Sequence, residues 1–227
     1  MDIRHYYVEK GEGTPLILLH GNGESSDYFV GQIDDFALHY HVYAVDTRGH
    51  GRTPRGKAPF TFRQFSEDLL AFMDRVGIEK AHILGFSDGG NIALRFAIRH
   101  PERVNRLIVD GANLTPQGIK RGTLRLIQMH YWLAQKLAPL SSAQRRRCEL
   151  LGIMVHEPNM TMAELSRIEA KTLVIAGTED LIKESHTRRI AWGIPHARLC
   201  ILPGDHAVAA KHPSAFNRAV LDFLEEK

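Results

Sequence analysis

Gly85-Phe86-Ser87-Asp88-Gly89-Gly90 sets a serine between two glycines where the apolar run His82–Phe86 passes into a helical pattern. The glycines allow a tight strand-to-helix turn that leaves the hydroxyl exposed, the arrangement of a nucleophile elbow. The helix that follows aims its first N–H groups at any negative charge developing there. Composition alone produces Gly-x-Ser-x-Gly about 0.06 times in such a chain, so the pattern is specific. His20-Gly21-Asn22-Gly23 closes an earlier apolar run, Leu16–Leu19. A glycine-rich turn there can present the Asn22 backbone N–H beside that of Asp88, and together these two groups are the candidate oxyanion hole.

A serine nucleophile needs a base, and the base needs an orienting acid. His206, in Leu202-Pro203-Gly204-Asp205-His206, lies just past the last apolar run and is the candidate base. His50 falls in another loop on the same expected edge, and His212 before Pro213 reads as structural. Asp180, in Ala176-Gly177-Thr178-Glu179-Asp180, is the candidate acid; its neighbour Glu179 and the strand-terminal Asp110 remain alternatives on spacing alone. His39 and His41 flank Tyr40 without a third ligand cluster, so no metal site is expected. No Gly-x-Gly-x-x-Gly follows a strand, and no cofactor is expected. Cys148 follows three arginines, but a solvated helix face accounts for that run.

These residues need a scaffold, and the apolar pattern supplies one. Leu16–Leu19, Val42–Val45, His82–Phe86, Leu107–Val109, Leu173–Ala176 and Arg198–Leu202 read as strands, with Ile3–Val8 as an antiparallel edge. Near-continuous apolar runs suit strands buried on both faces of a mostly parallel sheet. Helices separate them: Thr61–Val76 with a stop at Gly77, Gly90–His100 before Pro101, and Pro213–Leu224. The fold class is therefore α/β, a mostly parallel central sheet flanked by helices, in one domain spanning 1–227. About 60 residues without a clear strand, roughly 112–170, read as a small helical cap inserted after a strand. Leu124, Ile127, Met129, Tyr131, Trp132 and Leu133 in that segment are divided between core and pocket by no sequence signal.

The 227 residues are 44% hydrophobic and 24% charged, which excludes wholesale disorder. A net charge of +3 with no long single-sign block leaves no nucleic-acid footprint. Two cysteines, no apolar leader in Met1-Asp2-Ile3-Arg4-His5 and no apolar run of membrane-span length lead to the expectation of a cytoplasmic protein. Its expected partner is a small-molecule ester, with neither nucleic acid nor membrane.

Over essentially its whole length the chain resembles the α/β-hydrolase fold superfamily. Gly13-Thr14-Pro15-Leu16-Ile17-Leu18-Leu19-His20-Gly21 is similar to the family's oxyanion strand and turn. Asp46-Thr47-Arg48-Gly49-His50-Gly51-Arg52-Thr53 is similar to its Asp-x-Arg-Gly-His-Gly-x-Ser turn, with Thr53 in place of serine. The elbow, the Gly-x-x-Asp at Asp180 and the late Gly-x-His at His206 follow in the family's order. The resemblance implies Ser87 as nucleophile, His206 as base and Asp180 as acid, in a serine hydrolase cleaving a carboxylic ester through an acyl-enzyme. It departs at a shortened N-terminal strand pair and a brief cap. Relatives resembling haloalkane dehalogenases and epoxide hydrolases carry Asp where Ser87 stands. Two alternatives accompany the ester reading: a carbon–carbon bond hydrolase, and a slow-turnover binding or receptor protein. The elbow also resembles that of amino-acid ester hydrolases such as valacyclovir hydrolase, in which the residue matching Asp88 meets a substrate ammonium. The plainer expectation is that Asp88 caps its helix.

Overall fold

Alternate residues along each strand point to opposite faces, and here both faces are apolar. Ile17 and Leu19 join one buried cluster while Leu16 and Leu18 join the other, and Tyr43 and Val45 divide from Val42 and Ala44 in the same way. Such strands can be satisfied only between two layers of helix. The computed structural model describes residues 2–226 and has that architecture. The seven strands run in the order β1-β3-β2-β4-β5-β6-β7. They are β1 (Tyr7–Lys10), β2 (Pro15–Leu19), β3 (His41–Val45), β4 (Ala81–Phe86), β5 (Val104–Asp110), β6 (Lys171–Gly177) and β7 (Ala197–Leu202). Among the described residues, only the β1–β3 pairing within this sheet is antiparallel.

The edge strand corrects the expectation for Ile3–Val8. It starts at Tyr7 and pairs Tyr7 with Val45 and Lys10 with Val42. Ile3 and His5 are buried without strand pairing, and the His5 ring packs edge-on against Phe72. Their apolar character reflects that packing.

On one face lie α2 (Phe62–Val76) and α3 (Asp88–Arg99), whose Phe65, Phe72, Ile92 and Phe96 join the first cluster. On the other lie α1 (Val30–Phe36) and α9 (Pro213–Glu225), which bring Phe36, Phe216 and Val220 to the second. Thr61 caps α2 through its side chain, and Gly77 ends it at φ 74°. Between β5 and β6 come α4 (Arg121–Leu137), α5 (Ser142–His156) and the short α6 (Met162–Leu165). The α4–α5 pair is held to the rest of the chain by a two-pronged Arg55–Glu149 ion pair at 2.6 and 2.8 Å. The Phe62 N–H donates to Glu157 at the other end of α5. Two short helices, α7 (Glu184–Gly193) and α8 (Val208–Lys211), complete the fold. No helix among the described residues is long and apolar enough to cross a membrane.

The topology decides where a site can form. From β2 the chain passes to β3 on one side, whereas β4 lies on the other side of β2 and leads on to β5. Connections therefore diverge at the carboxyl ends of β2 and β4, which opens a crevice there.

Candidate active site

Ser87 stands at the carboxyl end of β4 with φ 53° and ψ −116°, the one positive-φ non-glycine among the described residues. A conformation of this kind costs on the order of 1–3 kcal/mol and survives only where the surroundings impose it. The surroundings are visible. The Ser87 N–H donates to the Asp110 carbonyl at 2.7 Å. A Cβ on Gly89 would lie 2.0 Å from the Leu19 carbonyl oxygen, and one on Gly85 would lie 2.2 Å from the Gly89 oxygen. Both elbow glycines are thus required by backbone packed on backbone.

Three loops from three strand ends meet at this serine. His206, after β7, places Nε2 3.0 Å from Ser87 Oγ and Nδ1 2.7 Å from Asp180 Oδ1. Asp180, after β6, is buried and also accepts the Ile182 N–H at 2.8 Å. A carboxylate only accepts, so Nδ1 carries the imidazole proton and Nε2 turns its lone pair to the serine hydroxyl. The ring crosses the end of β5 to reach β4, and Gly111 (φ 62°) lies beneath it; a Cβ there would stand 2.7 Å from His206 Cε1.

The rival acids and bases are elsewhere. Asp110 is fully buried with neither carboxylate oxygen hydrogen-bonded, and burial holds its pKa well above the usual carboxylate range. Glu179 contributes a backbone N–H to the Gly204 carbonyl. His50 is buried against Thr47 and Phe60, and burial pushes it down to about 3. His41 Nε2 lies 2.8 Å from Glu9 Oε1, and His39 Nδ1 lies 3.8 Å from Glu225 Oε1. No group of three or more His, Cys, Asp or Glu among the described residues could hold a metal ion. Thr53, standing where the family motif has serine, donates to the Asp46 carbonyl at 2.8 Å and accepts the Tyr6 N–H at 2.9 Å.

Asn22 and Asp88 come together across the crevice. The Asp88 N–H is the first of α3, where no intrahelical acceptor exists. The Asp88 side chain does not cap that helix, which corrects the plainer expectation. Ser87 occupies the cap position without a side-chain bond, and the Asp88 carboxylate accepts instead from Asn22 Nδ2 at 2.8 Å and Asn91 Nδ2 at 3.4 Å. Burial pushes this carboxyl up to about 6. Asn22 Nδ2 also donates to the Leu150 carbonyl of α5 at 2.9 Å.

Sequence reading did not identify two residues that shape this turn. Glu24 accepts the Gly21 N–H at 3.0 Å and returns its own N–H to the Gly21 carbonyl at 3.3 Å. An acidic residue three places after a strand-terminal glycine was the available signal. His20 Nε2 accepts the Thr47 N–H at 3.1 Å, so Nδ1 is protonated and donates to the Gly21 carbonyl at 2.8 Å. Nothing local in the sequence specifies that bond. Of the helical-segment residues, Tyr131 lines a cavity of about 470 Å³ with Phe60, Cys148, Ile153 and Glu157, whereas Met129, Trp132 and Leu133 face outward.

Known proteins place this geometry in context. A family model described as alpha/beta hydrolase fold matches residues 14–157. A protein of Caulobacter sp. (strain K31) named carbamate hydrolase RutD is 32% identical over 242 residues, covering 92% of this chain and 90% of the relative. The 2-hydroxy-6-oxo-6-phenylhexa-2,4-dienoate hydrolase of Comamonas testosteroni is 29% identical, with 100% of this chain and 93% of the relative covered. The crystal structure of a hydrolase from Pseudomonas aeruginosa PA01 superposes with a TM-score of 0.82 at 26% identity, over 99% of this chain and 94% of that one. The chain belongs to the α/β-hydrolase fold family and is a hydrolase.

Proposed function

We propose that the protein cleaves a small carboxylic ester through an acyl-enzyme on Ser87. The observation that carries this reading is the continuous chain from Ser87 Oγ through His206 to Asp180, at 3.0 and 2.7 Å. In the first half-reaction His206 Nε2 takes the serine proton as Oγ bonds to the carbonyl carbon. The resulting oxyanion is held by the backbone N–H groups of Asn22 and Asp88, each worth about 3 kcal/mol in comparable sites. Asp180 keeps the imidazole in the right tautomer and stabilises the imidazolium without taking its proton. The tetrahedral adduct collapses, the C–O bond to the alcohol breaks, and His206 returns the proton to the departing oxygen. Water then gives a proton to His206 and attacks the acyl-enzyme, releasing the acid and restoring Ser87. Treatment with a fluorophosphonate followed by mass spectrometry tests the chemistry: an adduct on the Ser87 peptide is expected, and its absence from folded protein rejects an activated serine.

A specificity follows from Asp88. No Lys or Arg forms a salt bridge with this buried carboxylate among the described residues, and its neighbours supply only amide donors. Buried charges are normally paired, and a substrate ammonium beside the scissile carbonyl would supply the missing partner. The substrate class favoured here is therefore an ester of an α-amino acid. A second reading is supported by the relative whose name specifies an oxo-dienoate: the same serine could open a carbon–carbon bond of a vinylogous diketone. Turnover of aryl esters measured beside that of a ring-cleavage product separates the two.

A further inference from the structure

Helix α4 has two apolar faces, and only one is covered. The covered face packs on α5 and buries Ala134. The other presents Leu126, Met129, Trp132, Leu133 and Leu137, continued by Leu140 in the next turn, all between 39% and 74% exposed. Positions 126, 129, 133, 137 and 140 recur at three and four, so they form one unbroken ridge roughly 20 Å long. Contiguous exposed apolar surface of this kind marks an interaction site.

The charge around the ridge states the chemistry of what covers it. Residues 112–148 contain Lys120, Arg121, Arg125, Lys136, Arg145, Arg146 and Arg147, and not one Asp or Glu. Seven cations exceed the net charge of +3 for the whole chain, so the remainder is net acidic. All seven are exposed, and none is in an ion pair among the described residues. Lys136 Nζ stands 5.9 Å from the Trp132 ring, at the border between ridge and charge. Two copies of the chain joined along this ridge would set like charges against each other. The ridge is also a convex helix surface, suited to a broad yielding surface. Leucines and a tryptophan bordered by Arg and Lys are the pattern of a helix that lies in a membrane interface.

We propose that the outer face of α4, with the start of α5, docks on an anionic phospholipid surface, the ridge entering the acyl boundary and the cations meeting the headgroups. The sequence expectation of no membrane partner rested on the lack of a span, which peripheral docking does not need. This inference is independent of the ester chemistry, because its readout is binding.

The test is flotation of the full chain with phosphatidylglycerol vesicles, with phosphatidylcholine vesicles as the uncharged control. Binding to the anionic vesicles alone is expected, and it should weaken as salt is raised. Arg125→Glu combined with Lys136→Glu should lower partitioning by about fivefold or more for each cation lost. Leu126→Ser combined with Leu133→Ser should also release the protein. In a Trp192→Phe background, Trp132 fluorescence should shift to the blue on binding. Ester turnover without vesicles, unchanged in all these variants, shows that they are folded. Lack of flotation, equal flotation with both lipids, or binding that survives both double variants overturns the proposal. Binding to polyglutamate but not to vesicles would assign the face to an acidic protein. A dimer seen by light scattering, abolished by the ridge variants and indifferent to vesicles, would assign it to a second copy.

Discussion

Asn22 Nδ2 donates to Asp88 Oδ2 at 2.8 Å, so the two residues proposed to supply the oxyanion donors are tied to each other through their side chains. The same amide nitrogen reaches the Leu150 carbonyl, which joins the turn after β2, the start of α3 and the helix α5 at one atom. Backbone donors hold an oxyanion well only if their spacing is preorganised. Asn22→Ala removes the tie, leaves both backbone donors, and strips the Asp88 carboxylate of its shorter hydrogen bond. A loss of about 10- to 100-fold in kcat with little change in KM is expected, from about 1–3 kcal/mol for one buried polar group left unpaired. Steady-state kinetics decide it, and an unchanged kcat would show that the tie is structural only.

Asp180→Asn should lower turnover by a factor on the order of 10⁴, because an amide in that place favours the wrong imidazole tautomer. Asp110→Asn should keep most of the activity. It should also raise stability at pH 8, since it replaces a carboxyl held neutral by burial with an amide that cannot ionise. Urea unfolding and kcat of the two variants, measured side by side, are the check; loss of activity in Asp110→Asn with retention in Asp180→Asn would reverse the assignment.

The Asp88 carboxyl, pushed up from 3.8 to about 6 by burial, binds its proton more tightly in the folded chain than in the unfolded one. The stabilisation this gives is complete below about pH 3.8 and is lost as pH rises through about 6. Asp88→Asn does not titrate, so wild type should lose about 3 kcal/mol relative to the variant between those limits. Unfolding free energies from pH 4 to 8 measure the difference, and a difference constant with pH would contradict the shift.

Amine recognition gives the most direct kinetic prediction. A charge-assisted hydrogen bond from the substrate ammonium to Asp88 is worth about 1.5–3 kcal/mol, or roughly 10- to 150-fold in kcat/KM over the des-amino ester. The preference should collapse in Asp88→Asn. Equal rates for both esters in wild type would return the substrate to small esters without an amine.

Gly111→Ala sets a methyl group 2.7 Å from His206 Cε1 and forces a side chain onto a φ of 62°. The ring must move off the end of β5, away from Ser87. A fall of at least about 100-fold in kcat is expected, since displacements near 1 Å have that effect. Fluorophosphonate labelling should slow in parallel, and normal labelling would show that the imidazole tolerates the methyl.

The strands were legible because burial on both faces writes uninterrupted apolar runs, and the elbow because only glycine permits its backbone contacts. The family followed from those local signals, as did the placement of Ser87 and His206 at strand ends. Ile3–Val8 misled because an apolar stretch buried by side-chain packing looks like a paired strand until its neighbour is known. Asp180 was the candidate acid, but type and spacing alone did not exclude Asp110 or Glu179, since each follows or ends a strand. Tertiary structure separated them: the β5 end passes under the imidazole at Gly111, which leaves Asp110 buried behind it, while the loop after β6 brings Asp180 Oδ1 to Nδ1. It likewise decided the fate of Asp88, whose type suggested a cap, because Asn22 and Asn91 approach its carboxylate from positions 66 residues before it and three after. A sequence records what each residue prefers over a few neighbours; which distant group meets a side chain is set only when the sheet order brings strand ends together.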